Sequence, residues 1–160
     1  MQIVLTTILD AEPIEKLLCY HFKNPEILKQ ALAHTSTLNE PRKIRKGGND
    51  LLATVGDALL DLAVAGTLYG NSGPMGPFLT SAKGDLTIER SKFVNNDKLA
   101  KFFERMGLKQ YLRFSGEKDA EVPNSVLAQA YEAIVGAIFL DANYEEASGF
   151  VRRTMIPNIG

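Results

Sequence analysis

Apolar residues recur along this chain at spacings of three and four, the period of a helix, and convincing alternating strand patterns are missing. "IEKLLCYHF" reads as a short amphipathic helix entered after Pro13, a residue tolerated in a first turn. In "NPEILKQALAHTS" Asn24 is a natural N-cap and Pro25 fits the first helical position. Ile27, Leu28, Ala31 and Leu32 then share one face. A basic loop, "TLNEPRKIRKGG", precedes a long apolar helix predicted from about Asp50 to Tyr69. Beyond the breaker-rich "GNSGPMGPF", "KGDLTIERSKFVNN" holds another helix. Asn95 or Asn96 then caps "DKLAKFFERMG", with Leu99, Phe102, Phe103 and Met106 inward and Gly107 as the stop. The charged connector "LKQYLRFSGEKDAEVP" leads to a helix from about Ser125 to Leu140, and "YEEASGFVRRTMI" supplies a terminal one. The pattern predicts an all-α, multi-helix fold, a single domain over residues 1–160 with its core at about 13–153.

Two of these helices carry polar residues where burial is expected. On the long helix, Asp50, Thr54, Asp57 and Asp61 stand at spacings of four, three and four, a narrow stripe on a cylinder otherwise built of Leu, Val, Ala and Gly. Ser125, Gln129 and Glu132 repeat the arrangement on the later helix, with Gly136 continuing the line. Helices apolar around most of their circumference belong in a core, where a carboxylate is expensive unless it is paired or bound to a cation. If the two seams face each other, Asp57 meets Glu132. Two neighbouring carboxylates repel, and a hard, oxygen-preferring cation relieves them. Mg²⁺ suits such a site because it needs only one or two protein carboxylates and takes phosphate oxygens as further ligands. The competing reading is structural: the same acids bonded to helix ends or to Lys and Arg.

Composition narrows the partners. Eighteen Lys plus Arg against nineteen Asp plus Glu leave a net charge of −1, so any nucleic-acid contact requires a local patch. "PRKIRKGG" concentrates Arg42, Lys43, Arg45 and Lys46, which reads either as phosphate contact or as a solvated loop. Lys83, Arg90, Lys92 and Lys98 would widen a basic surface. Cys19, the one cysteine, has no CxxC partner, which excludes a zinc ribbon, points to a reducing compartment and predicts a small buried hydrophobe. The N-terminal segment lacks the basic leader of a signal peptide, and no segment is expected to reach the length of a membrane span, so a cytoplasmic protein without a membrane partner is expected. His34 is expected to be structural, near a helix end, and His21 has no partner pattern for a nucleophilic triad.

Several motifs then fall into a known order. "NDLLATVGDALLDLAVAGTLYG" resembles the signature helix of the ribonuclease III family, N-E-R-L-E-F-L-G-D-A-V-L-D-L. "FKNPEILKQALAHTSTLNE" is similar to that family's upstream F-x-N-x-x-L-L-x-x-A-L-x-H-x-S segment. "KGDLTIERSKFVNNDKLAKFFERMGLKQYL" looks like its intervening stretch, and "SVLAQAYEAIVGAIFLDANYEEASGFV" like its closing L-A-D-x-x-E-A-L-I-G-A-I-Y-L-D-x-G-Y. The resemblance covers about residues 13 to 153. It implies an all-helical endonuclease that cuts double-stranded or hairpin RNA with Mg²⁺, or Mn²⁺ in its place, usually as a homodimer. The implied chemistry is in-line attack by water, leaving 5′-phosphate and 3′-hydroxyl ends.

Carried over position by position, the resemblance makes Asp57 and Glu132 the catalytic, metal-holding pair, with Asp50 and Gln129 as supporting ligands. Two family acids are missing, because Ala53 and Gln129 stand where a Glu and an Asp are usual, and Thr54 replaces the aromatic that packs into the partner subunit. Two implications follow. A smaller branch of the family, often called Mini-III, shares the Ala-x-x-Gly-Asp-Ala pattern and a non-acidic residue at the Gln129 position, and its members are nucleases without a double-stranded-RNA-binding domain. None is expected here either, which would leave RNA capture to a partner protein. The alternative is a catalytically silent RNA-binding or ribonucleoprotein-assembly protein.

Overall fold

The computed structural model describes residues 10–37, 48–72, 83–115 and 121–155. Seven α-helices lie within them: α1 (Ala11–Leu18), α2 (Pro25–Ala31), α3 (Asp50–Ser72), α4 (Lys83–Phe93), α5 (Asn96–Arg105), α6 (Asn124–Asp141) and α7 (Tyr144–Met155). The fold is all-α as expected. The only β pairing among the described residues is an isolated parallel bridge between Ala33 and Arg113. Arg42, Lys43, Arg45 and Lys46 lie outside the described residues.

Local signals explain most boundaries. The Asn24 side chain accepts from the Glu26 N–H at 3.1 Å, with Pro25 opening α2. Asn95 caps α5 through the Lys98 N–H at 3.0 Å, and Gly107, with φ +75°, ends that segment in the left-handed region glycine permits. Helix α1 stops earlier than its sequence pattern suggests. Cys19 takes φ 50° as its C-cap and is exposed, not buried as expected, because the chain must turn there to reach α2. The turn is fastened from the far end of α6. The Asp141 carboxylate accepts from the Tyr20 hydroxyl (2.7 Å) and from the backbone N–H groups of Lys23 (2.9 Å) and Asn24 (3.0 Å). Burial works against that charge, but these donors prevail and hold the carboxyl below the ordinary aspartate range.

Helix α6 is the axis of the fold. It is buried along eleven positions from Val126 to Ile138, and α3 and α5 pack most extensively against it, with α7 and α2 completing the surround. Tyr131, fully buried, lies between the rings of Phe102 and Phe150, and its hydroxyl meets Thr154 Oγ1. Helix α3 requires one correction to the sequence reading. Asp50–Tyr69, 20 residues at mean hydropathy 1.6, is long and apolar enough to cross a membrane by length and composition. The structure gives that apolarity another use. One side of α3 seats Leu52, Leu59, Leu60, Val64 and Leu68 in the core, packed along α6.

The α3–α6 contact is set by two reciprocal glycines. A Cβ on Gly56 would stand 1.8 Å from the Glu132 carbonyl oxygen, and a Cβ on Gly136 would stand 2.1 Å from the Leu52 carbonyl oxygen. Both obstacles are helix backbone, which cannot swing aside. Each helix therefore uses a missing side chain to admit the other's carbonyl edge. Gly56→Ala or Gly136→Ala is expected to lower unfolding free energy by about 3 kcal/mol. Gly66→Ala is the control on the same helix, since nothing lies within 4 Å of a Cβ there. It should stabilise by about 0.5–1 kcal/mol through helix propensity, and urea denaturation distinguishes the two behaviours.

Candidate functional site

Because Gly56 sits on the Glu132 carbonyl, the next residue on α3, Asp57, is delivered beside the Glu132 side chain. The two polar seams do face each other. Asp50, Ala53, Thr54 and Asp57 from α3 and Ser125, Gln129 and Glu132 from α6 line one open cleft of about 510 Å³, with Asn96 from the start of α5 closing it. All four residues that the resemblance assigns to a metal site are thus brought together. Thr54, in the place of the family aromatic, is exposed, and its hydroxyl donates to the Asp50 carbonyl at 2.9 Å within its own helix.

The acids along this cleft have different fates. Asp61 pairs with Arg90 of α4, so the structural reading holds for that residue, and Arg90 is not a free element of a basic surface. Lys92 is likewise paired, with Glu89. Lys98 is exposed on α5, and the Lys83 side chain lies outside the described residues. Asp50 accepts from the Gln129 side-chain amide. Among the described residues, Asp57 and Glu132 have neither a hydrogen-bond nor an ion-pair partner for their carboxylates. Burial pushes the Glu132 carboxyl up to about 7 from 4.5, and the negative charges of Asp57 and Asp61 push in the same direction.

This donor set suits a hard cation: carboxylate, amide and hydroxyl oxygens, a glutamate whose proton is held chiefly by burial and further by the charges of Asp57 and Asp61, and, among the described residues, no basic side chain on Asp57 or Glu132. It is an open site rather than a cage. No group of three or more His, Cys, Asp or Glu among the described residues converges closely enough to enclose a metal. The missing carboxylates show directly, since Ala53 offers the cleft only a methyl group.

Two residues at the cleft were not singled out for it by sequence reasoning. Asn96 reads in sequence as a possible cap, but Asn95 takes that role and Asn96 lines the cleft. Asn49, fully buried, has its side-chain N–H₂ on the Ala31 carbonyl (3.1 Å) and its oxygen on the Gln129 amide (3.0 Å). A polar residue before a helix resembles an ordinary cap, so only its zero exposure reveals the difference. His34 is structural as expected. Its Nδ1 meets Ser36 Oγ at 2.9 Å and its ring lies edge-on to Phe114. His21 bonds to Glu15 at 2.8 Å.

The raised Glu132 group makes metal-free stability depend on pH in a fixed direction. Between 4.5 and about 7 the folded protein holds a proton that the unfolded chain has released, so stability falls as pH rises through that window. Glu132→Gln should flatten this dependence and make the metal-free protein more stable than its parent at pH 8. Thermal unfolding in chelator at pH 5 and pH 8 checks both.

Comparison with known proteins agrees with this fold. The model of the Ribonuclease-III-like family matches residues 24–159. Among curated relatives, Ribonuclease 3 of Bdellovibrio bacteriovorus is 36% identical over 148 residues, covering 90% of this chain and 60% of the relative. Ribonuclease 3 of Oceanobacillus iheyensis is 34% identical over 155 residues, covering 94% and 65%. The chain therefore spans about three-fifths of the length of these relatives. Two solved structures of the nuclease domain of Ribonuclease III from Campylobacter jejuni superpose with TM-scores of 0.76 and 0.75, at 32% and 31% identity. They cover 93% and 94% of this chain, and 98% and 97% of their own. By fold, by the order of its motifs and by this match over most of its length, the chain belongs to the ribonuclease-III-like family.

Proposed function

We propose that this chain is an endoribonuclease domain that hydrolyses phosphodiester bonds in double-stranded or hairpin RNA, with Mg²⁺ as its cofactor. The observation that carries the reading is the pair Asp57 and Glu132, without partners among the described residues and held side by side in an open cleft while the neighbouring Asp61 has found an arginine. The match to the Ribonuclease-III-like family supports assigning RNA cleavage to that cleft.

Asp57 and Glu132 would hold the cation, with Asp50, two turns earlier on α3, adding a further carboxylate to the cleft. A bound Mg²⁺ supplies Lewis acidity, lowering the pKa of water and drawing the oxygens of the scissile phosphate. The protein residues prepare the site for it. Glu132 releases its proton to solvent as the cation's charge arrives, which couples metal binding to pH. The Ser125 hydroxyl and the Asn96 amide bring neutral hydrogen-bonding groups to the same cleft, where they can donate to phosphate oxygens without adding charge. Arg42, Lys43, Arg45 and Lys46 precede α3 in the sequence, and we assign them contact with RNA phosphates.

The same reading includes a homodimer. The face of α3 turned away from the core exposes Leu51 (71%), Leu62 (59%) and Tyr69 (72%), an apolar row at helical spacing that runs beside the acidic stripe. One of the Campylobacter jejuni structures is described by a region involved in dimer formation, which supports assigning this row to a second copy. A two-fold contact there would place two clefts on one duplex.

The second reading, a silent RNA-binding or assembly protein, draws on Ala53 and on the absence of a three-acid cluster among the described residues. Duplex RNA with Mg²⁺ or Mn²⁺ separates the two. Cleavage is expected from the parent chain and should fall more than ~100-fold in Asp57→Asn and Glu132→Gln, beyond the range seen for outer-sphere partners. Duplex binding without cleavage by the parent would favour the second reading. Leu62→Glu should convert a dimeric mass to a monomeric one in light scattering.

A further inference from the structure

We infer that Gln129 is a positioning residue in this chain: Asn49 orients its amide, and that amide holds the Asp50 carboxylate on the cleft wall. The inference rests on the metal-holding reading above and changes the role given to one of its residues.

The chain of hydrogen bonds begins outside the cleft. Asn49 is fully buried, so each of its polar groups needs a partner. Its backbone N–H donates to the Ala33 carbonyl (2.9 Å), and its backbone carbonyl accepts from the Ala53 N–H (2.8 Å), opening α3. Its side-chain N–H₂ donates to the Ala31 carbonyl at 3.1 Å. That last bond determines the orientation of the amide. With the nitrogen committed to Ala31 at the end of α2, the oxygen points toward α6 and requires a donor there. Gln129 provides it, with Nε2 at 3.0 Å.

The same nitrogen donates its second hydrogen to Asp50 Oδ1. Both Gln129 N–H groups are then in use, one inward to the anchor and one outward to a carboxylate lining the cleft. A carboxylate at position 129 has no hydrogen to offer at neutral pH. It would set three acceptors against one another, the Asn49 oxygen, the Asp50 carboxylate and itself, and would orphan a buried amide oxygen. In this chain the amide at 129 therefore serves Asn49 and Asp50 at once.

This differs sharply from treating Gln129 as a weakened ligand. If Gln129 simply bound the cation through its oxygen, Gln129→Glu would add a charged oxygen and tighten binding. If it acts through Asp50, Gln129→Glu loses the clamp. Removing the donors with the near-isosteric Gln129→Met should then matter only while Asp50 is a carboxylate.

The test is calorimetric titration of Mn²⁺ into the whole chain, without RNA, alongside thermal unfolding of each metal-free variant. Gln129→Glu and Gln129→Met are each expected to bind Mn²⁺ about tenfold more weakly than the parent, the equivalent of about 1.4 kcal/mol. Adding Gln129→Met to Asp50→Asn should cost nothing further. Metal-free midpoints should fall in both Gln129 variants, because the Asn49 oxygen loses its donor. If Gln129→Glu does not fold, Gln129→Met and its double variant still decide the matter. Tighter binding by Gln129→Glu, or losses for Gln129→Met and Asp50→Asn that add, would overturn the clamp while leaving the metal reading intact. A parent chain that binds no Mn²⁺ would overturn both.

Discussion

The backbone contact between α3 and α6 is the constraint on which the rest depends. Gly56 against the Glu132 carbonyl and Gly136 against the Leu52 carbonyl bring two helices closer than any side chain would permit. Close packing by itself is ordinary in a helical core. Its consequence here is positional: the residue after Gly56 and the residue whose carbonyl Gly56 touches are both acids. One contact thus packs the centre of the fold and creates the electrostatic conflict that a cation would resolve. Burial, with the charges of Asp57 and Asp61 added, raises the Glu132 carboxyl to about 7.

Three acids of the cleft, and Asp61 one turn beyond Asp57, show how the conflict is distributed. Asp61 is neutralised by Arg90, and Asp50 is steadied by an amide. Asp57 and Glu132 have neither kind of support among the described residues. Uncompensated carboxylates that repel each other are a cost to the folded state, and proteins keep such costs where function uses them. Beside the acids, the described residues that line the cleft are neutral, Ala53, Thr54, Asn96, Ser125 and Gln129, so none of them competes with an incoming cation.

Much of the fold was legible in the sequence because helix signals are local. Asn24–Pro25, Asn95 and Gly107 mark boundaries through their own backbone chemistry, and the structure places them where that chemistry requires. The four-three-four spacing of Asp50, Thr54, Asp57 and Asp61 placed them on one face for the same reason. Features that depend on tertiary partners were harder to read. Cys19 looked like core, but the turn toward α2, tied down by Asp141 from 117 to 121 positions away, leaves it exposed. The apolar run of α3 looked too short for a membrane span and is long enough, yet its residues divide between the core and an exposed row. Asn49 drew no reading from the sequence, and only its contacts with Ala31 and Gln129 reveal an anchor for the site. Ala53 and Gln129 were legible as losses of charge. That the second also creates a hydrogen-bond clamp required coordinates.

Anomalous diffraction from crystals of the full chain grown with Mn²⁺ tests most directly whether the helix contact builds a cation site. A peak about 2.1 Å from carboxylate oxygens of both Asp57 and Glu132 is the result these contacts require. Crystals with no such peak, or in which a lysine or arginine has taken the place of the ion between the two acids, would contradict it.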